Sequence, residues 1–451
     1  MKKIYRCIAL ALIFALPVSV AFARGSRDTA QTGGGGIELR VLNYLDMTGA
    51  NTANEIEEVW TAFEKANPDI RIIREDLFND PYHNKMEAYA AANQVPDLIY
   101  AWPSGRSTTL HTQRLLKDLG PFVQRDGLAA VMAPGALDPK AQGAGYLGIL
   151  PRAMTSSHAF YINNEVLRDA GLTPAKTYAE LKAQVPILKA KGYDTVLMAN
   201  QDTWVMQSCL FSVIAGRFCG EGWEQRILSG QAKFTDSDFV QALNFVKTLY
   251  DDGVISQATI TTDYGSVIGQ FATNRGAYLI DGDWRIGAFL TDQSTGQALI
   301  SPERQVNFQI SVFPDIAGAK INKSTSGVLG TGFGMSAAIP AGSAREEAAW
   351  RLLKWLSGKE VESWMLQSGA ITTPARTDID VSNFNLEPLQ KAGSALATQY
   401  NITTVVIDAA FHSDVHTPIN DGLQEIGIGS RTPAQVAQNI QRAYDAWKAS
   451  Q

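Results

Sequence analysis

The chain is 451 residues long, 45% hydrophobic and 19% charged, a composition that supports hydrophobic cores and excludes a disordered or collagen-like chain. Its 39 Lys and Arg against 45 Asp and Glu leave a net charge of −6, so nothing in the charge balance points to nucleic acid or an anionic membrane as partner. The length fits two or three domains, or one large two-lobed unit.

Lys2, Lys3 and Arg6 precede an apolar run over 8–22 that closes on Ala21-Phe22-Ala23. Basic start, apolar stretch and small-x-small ending form the pattern of a secretory signal peptide, predicting cleavage after Ala23 and export to the periplasm. As a membrane anchor the run falls short of the ~20 residues needed to span, and Pro17 interrupts it. Cys7 lies before the run and Arg24 sits at the cut, so no cysteine is placed for lipid attachment and a soluble product is expected. Residues 24–36, with Gly33 to Gly36, read as a flexible leader.

Residues 37–42 alternate apolar and polar, predicting a strand. Ile56, Val59, Trp60 and Phe63 then recur at three and four, predicting a helix that Asn67-Pro68 ends. Residues 70–73 read as a second strand and 96–100 as a third, reached through an alanine-rich helix ending near Asn93. Strands alternating with helices define an α/β protein with a parallel sheet. Further on, Thr177 with Glu180 and Ser343 with Glu346 fit the capping box, and Thr432-Pro433-Ala434-Gln435 places proline at a first helical position. Pro186 falls inside a helical pattern and is expected to kink it. No linker divides the chain after the leader, which suggests lobes that exchange segments.

Cys209 and Cys219 remain after cleavage. The residues from Trp204 to Gly216 read as largely helical, and the rise of that helix would part the two beyond the ~7 Å Cα limit of a disulfide, so two free thiols are expected. The absence of Cys-x-x-Cys excludes zinc-ribbon and thioredoxin-like readings.

The order of motifs resembles the carbohydrate-type solute-binding proteins of ATP-binding-cassette importers, the group related to maltose-binding protein. The resemblance rests on Phe63-Glu64-Lys65-Ala66-Asn67-Pro68-Asp69-Ile70, Val95-Pro96-Asp97-Leu98-Ile99, Phe160-Tyr161-Ile162-Asn163-Asn164-Glu165 and Ala170-Gly171-Leu172-Thr173-Pro174. Asn274-Arg275-Gly276-Ala277-Tyr278, Gly282-Asp283-Trp284, Gly330-Thr331-Gly332-Phe333-Gly334, the segment from Ala348 to Ser357 and the closing helix from Thr432 follow in family order. The resemblance implies a two-lobed periplasmic-binding-protein fold with the ligand cleft between lobes and hinge crossings near 154–159, 330–333 and 371–376. Lobe one would hold 37–155 plus 333–373, and lobe two 156–332 plus 374–451. It implies a monomer that binds a carbohydrate and meets the permease subunits of an importer, with no cofactor.

A sugar offers C–H faces for aromatic stacking and hydroxyls for carboxylates, amides or His. Of the nine tryptophans, Trp60, Trp350, Trp355, Trp364 and Trp447 fall in helical patterns and read as core; Trp102, Trp204, Trp223 and Trp284 lie at element ends or in loops. The family commonly stacks its sugar on an aromatic at the place of Trp284. Asp283 beside it is an acceptor for hydroxyls or, equally, a helix cap. Asp202 and Trp204 match family positions that face the cleft, with a cap and a core aromatic as the other reading. Trp102 after the third strand, and Asn43, Tyr44 and Asp46 after the first, stand where α/β sheets present ligand groups, with structural roles as the other reading of Asn43 and Tyr44. His416 corresponds to a cleft aromatic of the family, or is a surface His; Arg376 at the third crossing is a hydrogen-bonding fork or a structural ion pair.

His412 and His416 are four apart, but Ser413 stands where the zinc-protease pattern requires Glu, so no metal is expected. Asp281-Gly282-Asp283 lacks the spacing of a calcium loop. No Gly-x-Ser-x-Gly elbow or phosphate loop is present, and no catalytic residue is expected. The function expected is capture of a sugar or small oligosaccharide for import. The alternatives are a ligand-sensing partner of a membrane receptor, or a binder of a polyol or glycerol-phosphate ester.

Overall fold

Leu39, Val41 and Leu42 are buried in β1 (Ile37–Tyr44), which pairs in parallel with both β2 (Ile70–Leu77) and β3 (Leu98–Ala101). The computed structural model describes residues 36–450, apart from 50, 104, 134, 140, 141, 143 and 144. The predicted signal peptide and the leader up to residue 35 lie outside the described residues. The later strands are β4 (Leu150–Ser156), β5 (Ala159–Asn163), β6 (Asp194–Leu197), β7 (Gly276–Asp281), β8 (Phe308–Ser311), β9 (Ser324–Met335), β10 (Thr373–Pro374) and β11 (Asn401–Val405).

They form two sheets. The larger runs β10-β4-β9-β3-β1-β2, with β11 added to β9; the smaller runs β6-β7-β5-β8. The predicted parallel strands hold, but β9 lies antiparallel to β3 and β4, so the first sheet is mixed. Helices cover both sheets, as one apolar helix stripe per sheet face requires.

Two groups of cores result. In the first, Trp60, Phe63 and Trp350 fill the space between sheet and helices, with Phe333, Leu353 and Ile379. In the second, Phe160, Phe211, Trp223, Phe239 and Ile419 pack together. Fully burying side chains of this size contributes about 1.5–3 kcal/mol each. Ile379 and Leu386 belong to the first core, whereas Leu389 and Leu396 pack in a further core with Phe271 and Phe289. Residues 373–374 pair as β10 on the edge of β4.

The predicted helix over 56–63 exists within a helical stretch from Thr52 to Ala66, but Ile56–Thr61 is π-helical, with the Ala62 N–H reaching the Glu57 carbonyl. A second π-segment, Met206–Phe211, follows Trp204 and Val205. Periodicity alone does not separate 3.6 from wider winding over six residues. The cap at Thr432 is a full capping box. At the other two, Thr177 and Ser343 accept from the Glu180 and Glu346 N–H groups, while the two glutamates reach back one residue further, to the Lys176 and Gly342 N–H groups. Pro186 lies inside the continuous helix Tyr178–Ala190. Cys209 and Cys219 are both free thiols, as the helix between them requires. Among the described residues no helix is long and apolar enough to cross a membrane.

Candidate ligand-binding cleft

Between the two cores lies a cleft of about 950 Å³. One wall stands at the carboxyl ends of the parallel strands, where open α/β sheets place ligand groups. β1 ends in Tyr44 and passes into Asp46 and Thr48, while β3 supplies Tyr100 and is followed by Trp102. The floor comes from the joining strands, with Arg152 to Thr155 of β4, Thr331 of β9 and Thr372. The opposite wall carries Trp204, Ser208, Tyr264, Asp283, Trp284 and Arg285.

The aromatic rings are fixed by each other and by their polar edges. Tyr44 lies nearly parallel to Tyr100, centroids 5.8 Å apart, and Trp102 stands edge-on to both at 4.9 Å. Across the cleft Trp204 packs on Tyr264 at 5.0 Å and approaches Trp284 at 6.2 Å. Trp284 Nε1 donates to the Tyr264 hydroxyl at 2.7 Å, and Arg285 sits over the Tyr264 ring, 3.3 Å from its centroid. The Trp284 ring rests on the bare backbone of Gly282, where a Cβ would come within 2.3 Å of it. Pre-set rings of this kind stack on a ligand without losing rotamer freedom at that moment.

Each arginine of the lining faces a carboxylate. Arg106 is ion-paired with Asp408, Arg285 with Asp281 at 2.7 Å, and Arg152 faces Glu55 at 3.9 Å. Burial raises the Asp408 carboxyl, but the charges of Arg106 and His416 and a hydrogen bond from Ser208 outweigh it and hold the carboxyl below its usual range. Arg106 Nη1 also donates to His83 Nε2 at 2.9 Å, which places the His83 proton on Nδ1. Burial and the Arg106 charge lower His83 to about 3, so the ring is neutral at pH 7.

Six of the predicted site residues line the cleft: Trp284, Trp204, Trp102, Tyr44, Asp46 and Asp283. Asp283 is neither a side-chain helix cap nor a free acceptor. Its Oδ2 accepts from the Ser156 N–H at 3.0 Å and the Thr372 hydroxyl at 2.7 Å, tying the end of β4 to the segment before β10. Burial raises its carboxyl to about 6.

Four others are drawn into structural contacts away from the cleft lining. Asn43 is fully buried and donates to Asp76 Oδ1 at 2.8 Å. Asp202 accepts from the Tyr264 N–H at 2.9 Å, so it positions a wall residue. His416 sits behind Asp408, lowered to about 4 by burial. Arg376 forms a two-pronged pair with Asp378, both contacts 2.8 Å, which is the ion-pair reading. Trp223 is buried in the second core as the first residue of the helix Trp223–Leu228. His412 caps its helix through Nδ1 and stacks on Trp447. Among the described residues no group of three His, Cys, Asp or Glu is placed to hold a metal.

Sequence reasoning missed Arg106, Asp408, Glu55, Arg152, Tyr264 and Arg285. Two carry a signal: Arg106 closes the loop opened by Trp102, and Arg285 directly follows Trp284. The other four have none, because their neighbours read as ordinary strand or helix.

Two α/β lobes joined by crossing strands around an aromatic-walled polar cleft define the two-lobed fold of periplasmic binding proteins. The chain belongs to the bacterial extracellular solute-binding protein family, whose model matches residues 49–363. Among solved structures it is similar to a chitin oligosaccharide binding protein, at 21% identity and a TM-score of 0.79 over 91% of this chain and 98% of that one. It is also similar to a protein studied for xylan utilization by the thermophilic bacterium Caldanaerobius polysaccharolyticus, at 22% identity and TM-score 0.78, covering 90% and 99% of the two chains. A third likeness is to the maltose/maltodextrin-binding domain from Bdellovibrio bacteriovorus bound to maltotriose, at 18% identity and TM-score 0.69, covering 92% and 100%. No curated protein sequence matches the chain.

Proposed function

We propose that the chain is exported to the periplasm, captures a neutral sugar or small oligosaccharide between its lobes, and delivers it to an ABC importer. The observation that carries this reading is the cleft itself: Trp102 on one wall and Trp204 and Trp284 on the other, with every arginine of the lining opposite a carboxylate. Paired rings stack on the C–H faces of a sugar, and a polar rim whose arginines are each taken up by a carboxylate suits hydroxyls better than a phosphate ester, which would meet Glu55, Asp46 and Asp283. Lobe closure on the ligand would shift the population toward a form the permease recognises. The neighbours' ligands extend this reading to a choice of probes.

Thermal denaturation of residues 24–451 against xylotriose, chitotriose, maltotriose, stachyose, galactose and glycerol 3-phosphate tests it. A bound sugar at 100 times its Kd stabilises by about 2.7 kcal/mol, a shift of several degrees. A response to glycerol 3-phosphate alone would contradict the neutral-sugar assignment. Trp284→Ala is expected to weaken sugar binding at least about tenfold, about 1.4 kcal/mol, while the ligand-free unfolding midpoint moves by only a few degrees. Unchanged affinity by titration calorimetry would remove Trp284 from the site.

A further inference from the structure

Glu55 and Arg152 are 8% and 6% exposed and both line the cleft. Their nearest atoms, Glu55 Oε1 and Arg152 Nη1, stand 3.9 Å apart, close enough to attract and too far to hydrogen-bond. Both atoms are shut off from solvent and have no hydrogen-bond partner. Among the described residues no side chain or backbone group bonds the remainder of the guanidinium or the carboxylate. Buried charges are as a rule hydrogen-bonded, since water has been removed from them and something must replace it. This pair, alone among the three arginine–carboxylate pairs of the cleft, breaks that rule.

The pair is nevertheless held in place. The Arg152 guanidinium lies 5.3 Å from the centroids of both Tyr100 and Phe333, and Tyr100 is itself a wall residue. Glu55 is the last residue before the π-segment Ile56–Thr61, and such widened turns recur where a helix presents a functional side chain. A guanidinium and a carboxyl group, held in place and ion-paired without a hydrogen bond between them, line a cavity that has room for a ligand.

We propose that Glu55 and Arg152 form a hydroxyl-reading subsite: on binding, the guanidinium donates to one ligand hydroxyl while the carboxylate accepts from the same or the neighbouring one. This rests on the sugar-binding reading and adds to it the residues that select orientation. A hydroxyl serves because one oxygen both accepts and donates. A phosphate would satisfy Arg152 and be repelled by Glu55; an ammonium would do the reverse. The chemical class is therefore a neutral polyhydroxylated ring, with adjacent hydroxyls pointing toward β4.

Calorimetric titration of the wild type, Glu55→Gln, Arg152→Met and the double variant with the five sugars named above tests this, with Trp284→Ala alongside. The expected result is a Kd at least tenfold weaker for each single variant on the sugar that the wild type binds, with the double variant little worse than either. Arg152→Lys, which keeps a donor but not the fork, is expected to fall between. If Arg152→Met fails to fold, the isosteric Glu55→Gln carries the test. Unchanged Kd in variants whose unfolding midpoint drops would make the pair structural and overturn the subsite, while a loss in Trp284→Ala keeps the sugar reading. A wild type that binds none of the five sugars overturns both.

Discussion

Replacing Glu362 with glutamine is expected to stabilise the folded chain by about 3 kcal/mol at pH 7 and by close to nothing at pH 4. Glu362 is fully buried in the helix Lys359–Ser368, where Oε2 accepts from the Arg376 N–H at 3.1 Å and Oε1 has no partner. Burial outweighs the nearby charges of Arg376 and Arg152 and raises its carboxyl to about 9. The native state thus keeps a proton that the unfolded chain releases near its ordinary value of 4.5. Between those limits the folded form binds more protons, so stability falls as pH rises, by about 1.4 kcal/mol per unit. Glutamine matches the protonated side chain in shape, still accepts from Arg376 and does not titrate. The difference between variant and wild type should therefore grow steadily from pH 5 upward in urea unfolding series. A flat difference across that range would mean that Glu362 is ionised in the native state.

What the sequence makes legible follows from how local each cause is. β1, β2 and β3 declare themselves through apolar alternation and the breakers beside them, and their parallel pairing follows from the helices between. Trp102 and Tyr44 reach the cleft because the ends of parallel strands are where such sheets present side chains, a rule that needs no tertiary detail. Trp284 and Trp204 come from family order, and the structure places both on the second wall. Asn43, Asp202 and Arg376 share that neighbourhood in sequence yet hold Asp76, the Tyr264 N–H and Asp378 instead. One residue of strand register or loop path decides between those outcomes, and side-chain type does not reveal it. The residues passed over are those whose meaning lies in a distant partner. Glu55 acquires its role from Arg152, and Arg106 from Asp408, 302 positions away. An arginine in a loop and an aspartate in a short apolar helix carry no mark of each other until the fold brings them together.

That second pair supplies the other large effect: Asp408→Ala is expected to weaken sugar binding by about a hundredfold, close to 3 kcal/mol, through the balance between open and closed lobes. Arg106 follows β3 of the first sheet, whereas Asp408 lies in the helix Ile407–Ala410 and is held by Ser208 of the π-segment Met206–Phe211 at 2.8 Å. The guanidinium rests between Trp102 and Trp204, 5.9 and 6.0 Å from their centroids, so it joins the two walls. The backbone meets there too, since a Cβ on Gly105 would lie 2.4 Å from the Asp408 carbonyl. Removing one partner of a buried ion pair costs about 3–5 kcal/mol when the survivor stays dry. Under the proposed lobe movement the survivor would have an escape, because parting the lobes would return Arg106 to water. On the opposite rim Asn51 meets Gln293 and Asp292 through neutral or backbone hydrogen bonds of 2.9 and 3.3 Å, worth about 1 kcal/mol each, too little to hold the lobes alone. The penalty should therefore appear as an opened ligand-free chain with a larger radius of gyration in X-ray scattering, restored at saturating sugar. The unfolding midpoint should shift less than the affinity does. If instead Asp408→Ala lowers global stability by the full amount with affinity and scattering unchanged, the pair is a fixed joint between two lobes that do not part.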